Sequence, residues 1–223
     1  MAQFVPQTTQ KDKSDPHFIK FAGRGEKEIK VYRVEEYNAA TGLTYLSELE
    51  FQDEKILRRI QMQCSKALEN GSIGMESRWL GALHAKELES HSVADVSIRW
   101  IDETIGYGLF AEKEIRAWEY IGEYTGVVRK RNLIFKNFND YCFAYPASLF
   151  SFRKHMIDAE DKGNELCYAN HSDSPNSESM GVLFDNMYHI ILRAIKDIPA
   201  SAQITYNYWG YFWFNRRRKQ RAR

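Results

Sequence analysis

Four short stretches hold residue types that could handle a ligand. "IGYGLF" (105–110) sets Tyr107 between Gly106 and Gly108, and paired glycines let a backbone turn sharply or pass close to a bound molecule. "EYIGEYTGVV" (119–128) brackets Tyr124 with Gly122 and Gly126, and glycine inside a strand-like run marks a bulge or a close approach. "CYANHSDSPN" (167–176) joins Asn170 to His171 and then turns at Pro175-Asn176. "ITYNYWGYFWF" (204–214) packs seven aromatic rings into eleven residues, among them Tyr206, Tyr208, Trp209, Tyr211 and Trp213. Each stretch also has a plain structural reading: hairpin, kinked strand, polar surface loop and packed core, in that order.

Other chemistries find little support. The glycine pair lacks the third glycine and the long helix of a dinucleotide fingerprint. Cys64, Cys142 and Cys167 form no C-x-x-C pair and are odd in number, which speaks against a zinc site built on cysteine and against a disulfide framework. No base is placed to activate Cys142 or Cys167, so both read as buried thiols. His171 has no second histidine or carboxylate pair at ligand spacing, and no metal is expected. No apolar run reaches the roughly 18 residues of a membrane span, and "MAQFVPQTTQKDKSDP" has no apolar secretory core. A membrane partner is not expected.

The elements that must position these residues divide the chain in three. Its 223 residues, 43% hydrophobic, suit one ordinary domain with an appendage. Residues 1–92 read as an N-terminal segment, loose over 1–28 and then helical. A helix is predicted from Ser47 to Asn70, with Ser47 and Glu50 at capping-box spacing, an apolar face of Ile56, Ile60, Cys64 and Ala67, and Gly71 as the stop. A second, near Met75 to Leu88, offers Met75, Trp79 and Leu83 for packing, and these helices could instead pair two chains as a homodimer. After His91 the pattern changes to short runs such as "VADVSIRW", "YCFAY", "HMIDA" and "HIILRAI", broken by Gly, Pro, Asn and Asp. The fold class is therefore mostly β with some α: a body of many short strands over 93–212 beside an N-terminal helical layer. Residues 213–223 form a basic tail. Its last eight residues, "RRRKQRAR", carry six of the chain's 31 basic groups, leaving 25 against 30 carboxylates elsewhere. Such a run suits nucleic acid, an acidic protein or nuclear import, and equally a solvated end.

Taken in order, a Gly-x-Gly entry, a G-E-Y-x-G strand, an N-H-S-x-x-P-N loop and a late T-Y-x-Y strand resemble the SET-domain protein-lysine methyltransferases. The resemblance covers roughly residues 93–212. It is nearest in kind to small bacterial members without zinc clusters, some of which look like effectors acting on chromatin or on histone-like proteins. It implies several short-stranded sheets with a pseudoknot, in which the C-terminal strand threads the loop holding Asn170 and His171. It implies S-adenosylmethionine as methyl donor, with no metal, and a lysine-rich protein such as a histone as substrate. The bacterial cytoplasm, or secretion followed by a host nucleus, would be the place of action.

By that resemblance Gly106, Tyr107, Gly108, Tyr141, Asn170 and His171 contact the donor. Tyr208 is the catalytic tyrosine and also touches the donor. Tyr124 shares the catalytic channel, and Tyr206 helps set how many methyl groups are added, with tyrosine there favouring lower methylation. Trp209, Tyr211 and Trp213 either close the channel in place of the missing zinc segment or pack on the N-terminal helices. The family often has Arg at the position of Cys167 and, where zinc is bound, Cys at the position of Asp173. The chemistry stands without the name. An attacking amine must be neutral, yet with a pKa near 10.4 only about one lysine in a few thousand is so at pH 7, a penalty of about 4–5 kcal/mol. A dry aromatic channel and a nearby sulfonium both favour proton loss. The competing reading is a non-catalytic SET-like module that docks chromatin or nucleic acid through its basic tail.

Overall fold

Short β-prone runs broken by turn residues fold the chain after His91 into short strands, as expected, but the strands begin much earlier. The structure, a computed structural model, describes residues 17–131, 139–145 and 155–208. Its N-terminal part runs β1 (Phe18–Ala22), β2 (Lys30–Arg33), α1 (Val34–Thr41), β3 (Thr44–Tyr45), β4 (Glu50–Phe51), α2 (Glu54–Glu69), α3 (Met75–Leu83) and α4 (Ala85–Ser90). The body follows as β5 (Val96–Asp102), β6 (Gly106–Ala111), β7 (Tyr120–Glu123), β8 (Val127–Lys130), β9 (Cys142–Tyr145), β10 (His155–Asp158) and β11 (Lys162–Gly163). A 3-10 turn (Glu165–Tyr168) then leads into β12 (Asn170–His171), β13 (Ser177–Phe184), β14 (Met187–Ala194) and β15 (Thr205–Tyr206). They form five small sheets: β2-β1-β5-β6, β4-β8-β10-β9, β11-β3, β12-β15 and β13-β14-β7.

Three sequence expectations for the N-terminal segment are corrected. Phe18–Ala22 is not loose: it pairs in parallel with β5 and buries Ile19, Phe21 and Ala22. The segment holds four helices rather than two, and three of the five sheets take a strand from it. The first long helix starts at Glu54, not Ser47, because Asp53 is the cap whose carboxylate accepts the Ile56 amide at 2.8 Å. Glu50 lies instead in β4, beside β8. The apolar face of that helix is as expected, with Ile56, Ile60, Cys64 and Ala67 all buried.

The second predicted helix breaks at His84 into α3 and α4, and α3 turns the other way from expectation. Leu80 and Gly81 face the protein, while Met75, Trp79 and Leu83 are exposed. Gly81 decides the rotation. A side chain there would collide with the backbone of Leu183 in β13, so only glycine lets helix and sheet approach so closely.

The C-terminal strand is held on both sides. Gln203 bridges to Phe110, and the Ile204 amide donates to the Leu109 carbonyl at 2.8 Å. On its other flank β15 runs parallel to β12, with Asn170 beside Thr205 and His171 beside Tyr206. The whole β13-β14 hairpin lies between these two strands in sequence. Asn176 closes the loop: its side-chain oxygen accepts from the Thr205 amide (2.8 Å) and its side-chain nitrogen donates to the Gln203 carbonyl (2.8 Å). This interlocked pairing is the arrangement expected of a pseudoknot.

Candidate active site

The β12-β15 pairing carries two of the predicted tyrosines to one place, and ring contacts extend the cluster. Tyr206 and Tyr208 lie with ring centroids 4.8 Å apart. Phe143 on β9 stacks on Tyr206 at 6.2 Å and meets Tyr124 at 5.3 Å. The ladder Tyr124–Phe143–Tyr206–Tyr208 therefore spans three separated stretches of sequence. Both predicted catalytic hydroxyls donate to backbone carbonyls: Tyr124 to Tyr141 (2.7 Å) and Tyr208 to Ala169 (2.7 Å). Tyr141 sits 39% exposed at one side of the cluster, while Tyr124 and Tyr206 are buried.

Burial pushes the phenols of Tyr124 and Tyr206 well above 10, and the neighbouring Tyr208 adds to both shifts. The Tyr141 phenol is raised by burial as well. The Cys167 thiol is raised far above the usual thiol range, first by burial and then by the Glu165 carboxylate. Cys142, raised to about 11, approaches Asn139 and Arg129 through sulfur. All these groups are neutral near pH 7. Neither cysteine is an activated nucleophile, in line with the sequence reading.

The glycine turn joins the same region. Asp102 accepts the amides of Thr104 and Ile105, which turns the chain into Gly106 at φ +82°. The hairpin reading of this stretch therefore holds. The Asn170 side chain donates to the Tyr107 carbonyl at 2.9 Å, fastening this turn to the Asn170–His171 strand. Gly108 is needed for packing, since a β-carbon there would press on the side chains of Ile101, Gln203 and Asn170. The Tyr107 ring does not join the ladder. It packs among Phe21, Trp100 and Tyr168 at 5.1–5.9 Å. His171 is also engaged within the protein: its Nδ1 accepts the Tyr208 amide at 3.1 Å, and its Nε2 lies 3.1 Å from Asp173. Trp209, Tyr211, Trp213 and the basic run 216–223 lie outside the described residues. Among the described residues no group of three or more His, Cys, Asp and Glu side chains could hold a metal.

Sequence reasoning missed Phe143, Asn176 and the buried Glu165. Phe143 was visible as the middle of "YCFAY", and Asn176 as the last residue of the N-H loop. Glu165 carried no local signal. It is buried, accepts the Tyr45 hydroxyl at 2.9 Å and lies 2.9 Å from His17 Nε2, while Tyr37 and Tyr168 share a hydrogen bond of 3.1 Å across the same two segments. These contacts tie the N-terminal segment to the turn that leads into Asn170.

Comparison with known proteins gives this architecture a family. A family model described as SET domain matches residues 106–209. The chain is 32% identical over 161 residues to the variant-silencing SET domain-containing protein of Plasmodium falciparum, covering 69% of this chain and 6% of that one. It is 30% identical over 107 residues to the histone-lysine N-methyltransferase EZ2 of Zea mays, covering 48% of this chain and 12% of that one. Among solved structures, the Chaetomium thermophilum Polycomb Repressive Complex 2 matches with a TM-score of 0.51 and 25% identity, over 63% of this chain and 20% of the other. Residues 106–209 of the chain are a SET domain, the domain shared with these relatives. It spans about an eighth or less of the two curated relatives named here, both eukaryotic.

Proposed function

We propose that this chain transfers a methyl group from S-adenosylmethionine to the side-chain amine of a protein lysine, and that the substrate is a histone or a histone-like DNA-binding protein. The observation that carries the reading is the ring ladder Tyr124–Phe143–Tyr206–Tyr208, set against the Asn170–His171 strand. The donor supplies an electrophilic methyl on a sulfonium. Phenol and phenyl faces suit that cation and the methylated ammonium products. The chain offers the donor the Gly106–Gly108 turn, the outer edge of Asn170–His171, and Tyr141 and Tyr208. By the family resemblance Cys167, a neutral thiol, stands at the donor's acidic end in place of an Arg. A cleft of about 10 Å³ lined by Tyr37, Leu43, Lys162, Asn164 and Cys167 has room for about one water and is far below the roughly 300–1,000 Å³ of an ordinary ligand pocket, so it is not assigned to the donor.

The residues act by orientation and desolvation. Neutral phenols cannot serve as phenolate bases, so the lysine proton leaves to water before transfer, helped by the dry walls and the sulfonium. The Tyr124 and Tyr208 hydroxyls donate hydrogen bonds to carbonyls and stay protonated, so their oxygens can accept N–H bonds from the amine. Those bonds aim the nitrogen lone pair at the methyl carbon. The nitrogen–carbon bond forms as the carbon–sulfur bond breaks, and the thioether departs neutral. Alignment of this kind lowers a barrier by at most roughly 7–11 kcal/mol.

The test is radiolabelled methyl transfer to histones and to basic DNA-binding proteins. Wild type should label them and Tyr208→Phe should not; equal labelling by both would remove the catalytic assignment. Cys167 favours a second reading, a SET-like docking module that binds no donor. Calorimetry with S-adenosylmethionine separates the two, since heat of binding excludes the docking-only form. The basic run 216–223 supports added contact with nucleic acid, for which steeply salt-dependent DNA binding should vanish when 216–223 is deleted. The same run would serve nuclear import of a secreted effector; tagged protein that stays in the cytoplasm with the run intact counts against that role.

A further inference from the structure

Helix α3 presents an apolar ridge to solvent. Met75, Trp79 and Leu83 are 84%, 60% and 53% exposed and lie four residues apart, so they share one face. The opposite face seats Leu80 and Gly81 on β13, which fixes the helix rotation and leaves the ridge no way to turn inward. Single exposed apolar residues are ordinary, but a row of three built around a tryptophan marks a contact surface. The charges around the ridge are exposed and of both signs. Glu76 stands at its start, Arg78 within it and Lys86 just past its end, and none of them makes an ion pair among the described residues. The helix path continues from α3 into α4 through His84, whose amide donates to Leu80 and whose carbonyl accepts from Leu88.

We propose that a second copy of this chain covers the ridge, with α3 packed antiparallel on α3 about a two-fold axis level with Gly81. A row of residues four apart is the ridge used in the commonest class of helix packing. A two-fold contact requires a face that matches itself when reversed. This one does: reversal sets Trp79 of each copy against Leu83 of the other, and Glu76 against Lys86. A partner of a single charge sign would satisfy only one end. Trp79 and Leu83 of each copy make a core of four side chains with Met75 at its rim, so the dimer is weak and concentration-dependent.

The experiment is sedimentation of the full chain from about 1 to about 200 µM. Wild type should pass from monomer to dimer across that range. Trp79→Lys, at an exposed site, should keep the wild-type circular dichroism and melting while raising the dissociation constant by about tenfold or more. Glu76→Lys should weaken the dimer, and Glu76→Lys combined with Lys86→Glu should restore it. Methyl transfer by dilute Trp79→Lys should equal wild type, because Trp79 faces solvent and α3 packs on the Leu80, Leu88, Val182 and Ile191 cluster, separate from the one that holds Tyr124 and Tyr206. A wild-type chain that stays monomeric throughout, or a Trp79→Lys chain that dimerises as well as wild type, overturns the proposal. Failure of the double charge swap to restore association overturns the antiparallel register.

Discussion

At the scale of the residue, the Tyr124 and Tyr208 hydroxyls donate to the carbonyls of Tyr141 and Ala169, so in the proposed reaction their oxygens act as acceptors. An amine offering two N–H groups can satisfy such acceptors; each methyl group it gains removes one of those donors. Tyr206 lies between Phe143 and Tyr208, buried and neutral, and its hydroxyl is the polar group the growing methylammonium would meet. Removing it trades a polar group for room. Mass spectrometry should show mono- and dimethyl product from wild type and a shift toward trimethyl product from Tyr206→Phe. Mostly trimethyl product from wild type would contradict that role.

At the scale of the element, two fastenings control the site. The first is Asn176, whose side chain holds Thr205 and Gln203 and so sets the path of the strand bearing Tyr206 and Tyr208. Asn176→Ala removes the side-chain partner of the Thr205 amide and of the Gln203 carbonyl and should cost about 1–3 kcal/mol in chemical denaturation. It should also lower methyl transfer by more than that loss of folded protein explains. The second is His17 on Glu165, which pins the N-terminal segment. The hydrogen bond to Glu165 raises the His17 pKa above its usual value near 6.5, and burial only partly opposes it. A raised folded-state pKa gives stability that is complete below about pH 6.5 and is lost as pH climbs through the folded value. Melting temperature should therefore fall from about pH 6 to about pH 8, and His17→Gln should flatten that slope. On the acid side the sign reverses. Asp95, held low mainly by Lys113 and then by Lys20, contributes stability that disappears as pH drops through its depressed pKa.

At the scale of the whole molecule, the N-terminal segment and the SET-type body share one core. Ile19, Tyr37, Tyr45, Ile56 and Ile60 belong to the same apolar cluster as Ile98, Leu109, Tyr124, Ile157 and Tyr206. Strands β1, β3 and β4 each pair with a strand of the body, β5, β11 and β8 in turn. A chain lacking residues 1–52 should lose cooperative melting rather than merely a peripheral layer. Gly81→Ala is the sharper check on how α3 sits. Its β-carbon would have to displace the Leu183 backbone, so loss of at least about 1–3 kcal/mol is expected in a denaturant titration. A neutral Gly81→Ala would mean that α3 faces the sheet differently and that the outward ridge is misassigned.

Much of the site was legible along the chain because its parts are local. Gly106 needs a positive φ, the Asn170-to-Asn176 turn needs its Asn and Pro, alternation marks β5, and short β-prone apolar runs mark β10 and β14 whatever they pair with. The apolar face of α2 was equally plain, since a 3.6-residue period survives any tertiary context. The rest depends on which distant groups meet. The S-x-x-E spacing at Ser47 was sound in form but lost to Asp53, because Glu50 is drawn into a strand beside β8. The direction of α3 turned on one contact between Gly81 and Leu183, about a hundred residues apart, which no helical period contains. Glu165 reads as an ordinary surface carboxylate until Tyr45 and His17 fold over it. Periodicity and turn chemistry are properties of neighbours in the chain; burial, rotation and polar pairing belong to neighbours in space, and only the packed fold brings those together.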